Sequence, residues 1–374
     1  MEKGTKMDEE FLSKIKGSES TFVIHSDAGA CAAAAVMGNI AVRSQEDGSY
    51  FRLSDNFIPM VDDFASEEFD ANTAPDQIDA DFKIDWVGYL RTTGLPACGL
   101  QYKDRRTPEE NTMRYLQVYR RIPAMKPRMV HESRELSVPD EYRLDYEKLV
   151  ALIKAGGDLK PYLSRDIDKK NRPDKNDALL NSWGIQHLHF RTKGTDQLLF
   201  CVIAESDVFV IQTLSHNEEY LWVNTQLVEI LHRNWPKLIL RAKHNGLRAE
   251  AISADKRYTL RSYNTNFVVT VADGTVYLPL AGGTMASGDS MEDRVNCRKI
   301  FSELEHYKNI VVQNAHAIRT ALNIPASQKL VVRMAFDNRD CCLYEPTRAT
   351  RIGGFAPTRS SSWADEGSPI KNNH

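Results

Sequence analysis

Between positions 183 and 216 the chain carries three short, nearly apolar runs in close succession. They are Trp183-Gly-Ile-Gln-His-Leu-His-Phe-Arg191, Leu198-Leu-Phe-Cys-Val-Ile203 and Val208-Phe-Val-Ile-Gln-Thr-Leu-Ser-His216. Runs of this length and spacing predict three strands of one sheet. Strand side chains alternate faces, so Ile185, His187, His189 and Arg191 should share one face, with Gln186, Leu188 and Phe190 on the other.

Elsewhere the period changes to that of helices. Thr107-Pro108-Glu109-Glu110 has the form of a capping box, with proline at the first helical position, and predicts a helix to about Ile122. A second helix is predicted over about Asp145 to Ala155, with Tyr146, Leu149, Val150 and Ile153 inward and Gly156-Gly157 as its stop. Val223, Leu227, Ile230 and Leu231 define a third, from Glu219 to Arg233, in which His232 should pair with Glu229. The longest helix is expected after Ser290, on the stripe Cys297, Ile300, Leu304, Tyr307, Val311, Ala315, Ile318 and Leu322. That stripe reads as core or as a seam for self-association through the 290–322 helix.

Thr21–Ile24 predicts a strand and Ala28 to Val42 a small-residue helix capped at Ser26-Asp27. The runs before and after Asp273-Gly274 predict a hairpin. Lys329 to Phe336 predicts one more strand. Arg165 to Asn176 reads as an exposed loop, and the Ser/Arg/Gly/Pro-rich stretch from Glu345 onward as disordered. The expected class is α+β: a central antiparallel sheet with packed helices, a smaller N-terminal α+β unit and a long C-terminal helix. Five segments follow: 1–100, acidic; 101–140, a basic helical connector; 141–245, the histidine-bearing core; 246–344, hairpin plus long helix; and 345–374, a disordered tail.

Composition narrows the class. The chain has 374 residues, 42% hydrophobic and 26% charged, which suits a globular protein. No apolar run reaches the roughly 18 residues of a membrane span, and no signal peptide is evident, so a cytoplasmic location is expected. The six cysteines include no C-x-x-C pair. A cysteine-based structural zinc is therefore not expected. Charge is unevenly placed. Residues 45–85 hold 12 Asp/Glu against two Lys/Arg, and residues 101–134 hold nine Lys/Arg against four Asp/Glu. The basic stretch reads either as a solvated face or as the border of a nucleic-acid groove through Arg105, Arg106, Arg120 and Arg121, together with Lys193.

The histidines carry the candidate chemistry. Cleaving an RNA phosphodiester without metal needs a base for the 2′-hydroxyl, an acid for the leaving oxygen and a cation for the charge on phosphate. Imidazole suits both proton transfers, because its pKa of about 6.5 lies near working pH. Arginine's planar fork suits the third role. His187, His189, Arg191 and His216 supply these types as catalytic candidates, with no cofactor. The alternative is a zinc hydrolase holding the metal on His187, His189 and His216. A structural role, with the histidines merely paired on the sheet, remains a further reading. Gly282 to Ser290 matches no phosphate-loop spacing and reads as a turn before a capped helix.

A helix followed by three close strands, with Phe190-Arg191, Leu198-Leu199-Phe200 and Val208 to His216, resembles the core of RelE/ParE-type bacterial toxin RNases over 144–216. The run from Asp177 to His189 also resembles uncharacterised bacterial proteins associated with phage defence. The toxin resemblance implies metal-free RNA cleavage by a basic sheet face, and an inhibitory protein partner or a built-in restraint by the acidic N-terminal segment. The competing class is a non-enzymatic regulator that binds nucleic acid or protein.

Overall fold

The computed structural model describes residues 77–164, 177–247, 249, 252–336 and 341–355, together with the backbone of 21–24, 32–36, 39–43 and 50–52. The predicted loop over 165–176, and the predicted disordered tail beyond residue 355, lie outside these residues. The class is α+β. The chain divides into two compact units, one formed by 1–112 with 298–359, the other by 113–297 with 360–374.

The second unit is built on a four-stranded sheet. Its strands are β6 (Met129–Glu132), β7 (Gln186–His189), β8 (Gln197–Ile203) and β9 (Asp207–Ser215), in the order β6-β9-β8-β7. The three predicted strands pair antiparallel in sequence order, and His187 faces Phe200 while His189 faces Leu198. The sheet is not wholly antiparallel, because β6 joins β9 in parallel. The predicted connector thus supplies an edge strand.

One face of this sheet buries Leu198, Phe200, Val202, Phe209 and Ile211. It packs on the helix Gln226–Asn234, the one-turn helix Leu221–Val223 and the hairpin strands Val269–Thr270 and Val276–Tyr277. The expected stripe Val223, Leu227, Ile230 and Leu231 is fully buried there. The helix starts later than its period predicts, because Leu221–Val223 forms a separate tight turn.

The helix Arg143–Ala155 buries Tyr146, Leu149 and Ile153 and stops at Gly156, whose φ of 76° is the left-handed region that suits glycine. A Cβ at Gly156 would meet the Pro127 backbone nitrogen at 2.5 Å. The capping box forms as predicted. Glu110 N–H donates to Thr107 Oγ1 at 3.1 Å and Thr107 N–H to Glu110 Oε2 at 2.7 Å, and the helix covers Pro108–Tyr119.

In the first unit, the helix predicted over 28–42 does not form at its described residues, which are the antiparallel strands β2 (Ala32–Val36) and β3 (Asn39–Arg43) of a sheet ordered β1-β2-β3-β4, where β1 is Thr21–Ile24 and β4 is Tyr50–Arg52. Ladder pairing on both sides of β2 overrides alanine's helical preference. The expected disorder from Glu345 is also overturned as far as residue 355. Cys341–Glu345 and Thr350–Phe355 pair antiparallel beside Arg333–Phe336, and Cys342, Leu343, Tyr344 and Ile352 are buried. Gly353 and Gly354 lie opposite Leu343 and Cys342, where small residues fit a close ladder.

The long helix covers Met291–Gln313 and is interrupted at Asn314 before a second, Ala315–Ala321. Of its predicted stripe, Cys297, Leu304, Val311, Ala315 and Ile318 are buried within the chain. No helix among the described residues is long and apolar enough to cross a membrane.

Candidate functional site

Two imidazoles lie on the edge strand β7, and a third lies just past the end of β9. The rings of His187 and His189 lie 6.4 Å apart at 75°. Trp222, carried by the Leu221–Val223 turn, links the third. Its indole is 5.0 Å from the His187 ring and 5.8 Å from that of His216. His216 is exposed at the end of β9, and its backbone N–H donates to Asp196 O at 2.5 Å.

His187 is half-buried. Its ring also stands 6.2 Å from that of Phe200, and its Nδ1 is sealed from solvent with no hydrogen-bond partner. Proton exchange must therefore run through Nε2. Burial pushes its pKa below the usual imidazole value; the carboxylate of Asp177 opposes this, and the charges of His189, Arg121 and His216 lower it further. His187 is thus held neutral near pH 7. Asp177 caps the helix Ala178–Trp183, with Oδ1 accepting from Leu180 N–H at 3.0 Å.

His189 is oriented by the turn that follows it. Thr195 N–H donates to His189 Nδ1 at 3.0 Å, and Thr195 Oγ1 accepts from Phe190 N–H at 3.2 Å while donating to Gln197 O at 2.5 Å.

Arg191 does not join the cluster. β7 ends at His189 and the chain turns at once, so strict alternation stops short of position 191. The exposed Arg191 guanidinium donates to Asp145 Oδ2 at 2.6 Å and lies over the Tyr142 ring. Lys193 is exposed on the same turn. Arg120 is not free for phosphate either, since its Nε donates to buried Asp293 at 2.9 Å and Glu292 lies 3.8 Å from Nη1. Arg121 is buried, and its charge reaches His187. Arg105 is exposed and Arg106 half-buried, both in the other unit. The basic stretch spends further cations internally: Arg128 donates to Ala204 O and Ala124 O, and Lys126 pairs with Glu205. It is not a continuous cationic border.

Two histidines have partners that the sequence did not indicate. The expected His232–Glu229 pair is absent. His232 Nδ1 lies 2.8 Å from Tyr277 Oη and Nε2 3.2 Å from Asp273 Oδ2, while Glu229 accepts from Ala272 N–H. His131 Nε2 lies 2.7 Å from the fully buried Asp207. Each partner comes from a strand or turn distant in sequence, which periodicity cannot register. Trp222 and Thr195 likewise carry no signal in the sequence.

Among the described residues, no group of three or more His, Cys, Asp or Glu side chains is placed to hold a metal ion. Comparison of the chain with family models, curated proteins and solved structures finds no match.

Proposed function

We propose that this protein is a metal-independent ribonuclease whose acid–base set is His187, His189 and His216. The observation that carries the reading is His187, a neutral imidazole sealed at Nδ1 and grouped with two further imidazoles. A neutral imidazole with one usable nitrogen is a general base. His187 Nε2 takes the 2′-hydroxyl proton as O2′ attacks phosphorus. The bond to the 5′-oxygen breaks, and the proton returned to that leaving oxygen comes from His189 Nε2–H, with the exposed His216, at the end of β9, as the further imidazole of the set. Arg121 replaces Arg191 as the cation of the set. The choice of RNA, and a toxin or phage-defence context with an inhibitory protein partner, come from the resemblance to RelE/ParE-type toxins.

The test is cleavage of single-stranded RNA in EDTA. The expected outcome is a 2′,3′-cyclic phosphate product, with activity falling by roughly 10²- to 10⁴-fold in His187→Ala and unaffected in His131→Ala. Activity that disappears on chelation, or that survives His187→Ala, overturns the reading.

A further inference from the structure

Trp222 is half-buried, one edge of it packed on the core and its ring between the half-buried His187 and the exposed His216, and the turn that carries it is held in a strained, clamped form. Tyr220, just before the turn, has a φ of 57°, in the left-handed region that side chains other than glycine rarely adopt. Such strain persists only where the surroundings hold it. Here Arg257, on the helix Ala254–Ser262, donates from Nε to Val223 O at 3.1 Å and from Nη1 to Ile252 O. The strained residue presents its ring to Tyr258, 6.0 Å away, and Tyr258 is 53% exposed. One short segment therefore sets two aromatic stations, a half-buried one in contact with His187 and His216 and one that meets the exposed Tyr258.

We propose that Trp222 and the Tyr220–Tyr258 pair are stacking platforms for successive unpaired bases, so that the site takes single-stranded RNA and rejects duplex. This rests on the ribonuclease reading and names the form of its substrate. A base inside a duplex has both faces covered by its neighbours and cannot lie on a protein ring until it is unstacked. An unpaired base can, and any base has a π-face, so the platform selects strandedness rather than sequence.

The experiment is fluorescence anisotropy with a labelled 2′-O-methyl oligonucleotide, which lacks the attacking hydroxyl, offered as single strand and as blunt duplex. The single strand should bind at least tenfold more tightly than the duplex. Trp222→Leu and Tyr258→Ala should each weaken the single strand by roughly tenfold, with little change for the duplex. Tyr258→Ala removes an exposed ring and should leave the melting temperature unchanged, so it decides the matter even where Trp222→Leu fails to fold. Equal affinity for duplex, unchanged affinity in a folded variant, or no oligonucleotide binding each overturns the platform. Unmodified RNA left uncut while the 2′-O-methyl strand binds with these losses overturns the ribonuclease reading and leaves the platform standing.

Discussion

Thr195 meets His189 Nδ1 with both of its backbone groups, its N–H at 3.0 Å and its carbonyl oxygen at 3.1 Å. A backbone N–H can only donate, so a neutral His189 must carry its lone pair on Nδ1 and its proton on Nε2. When the ring gains a second proton, Nδ1–H has the carbonyl to turn to. Either charge state keeps a backbone partner, and the outward nitrogen is a donor in both.

The first prediction concerns this tautomer. Long-range proton–nitrogen NMR spectra at alkaline pH should show His189 as the Nε2–H form. Thr195→Ala removes the hydroxyl that ties the turn to Phe190 and Gln197, and should move the ring toward the mixture of a free imidazole. A dominant Nδ1–H signal in the unaltered protein would contradict the assignment.

A second prediction follows from His187. Burial lowers its folded pKa, so the unfolded chain binds the proton more tightly, near pH 6.5, than the folded one. Its contribution to stability is complete above that pH and is lost as pH falls from there through the folded value. The melting temperature should therefore drop between about pH 7.5 and about pH 5.5, and His187→Phe should flatten that part of the profile. Identical slopes in the two proteins would show that His187 does not titrate against folding.

Arg191 and Arg121 should part company. Arg191 is exposed and engaged with Asp145, and exposed pairs of this kind contribute little, so Arg191→Ala should change RNA cleavage by no more than about twofold. Arg121 is buried with its charge felt at His187, and Arg121→Met should lower kcat while raising the pH at which the base limb appears, since a charge that depresses the His187 pKa is gone. Equal losses from both substitutions would return Arg191 to the site.

What the sequence made legible is the local part of this arrangement. The alternation across 186–189, the capping box at Thr107 and the stop at Gly156 are each decided within a few residues, and each forms as read. The grouping of His187, His189 and His216 was also visible, because the strands that carry them are consecutive and pair in order. Arg191 was misjudged because alternation holds only while the strand lasts. Arg120 was misjudged because its carboxylate partner lies at position 293, beyond the reach of any local pattern. The helix expected over Ala28 to Val42 gives way to strands at 32–36 and 39–43 because alanine content reports intrinsic preference, whereas the ladder on either side decides the outcome.

The other unit offers an independent titration with the opposite sign. Asp85 lies on the helix Phe82–Tyr89, almost wholly buried, where its Oδ2 accepts from Met334 N–H at 2.8 Å. Burial pushes its pKa up to about 7, against the lowering by the Met334 bond and the Arg333 charge. The folded state thus holds a proton that the unfolded chain releases near pH 4. Stability from this group is complete below that pH and is lost as pH rises through about 7. Asn keeps an acceptor for Met334 and removes the charge. Asp85→Asn should be close to neutral near pH 5 and stabilising near pH 8, by on the order of 3 kcal/mol in urea unfolding. Denaturation curves displaced equally at both pH values would mean that the carboxylate stays charged in the fold, with Arg333, 3.9 Å from Oδ1, as the partner that keeps it so.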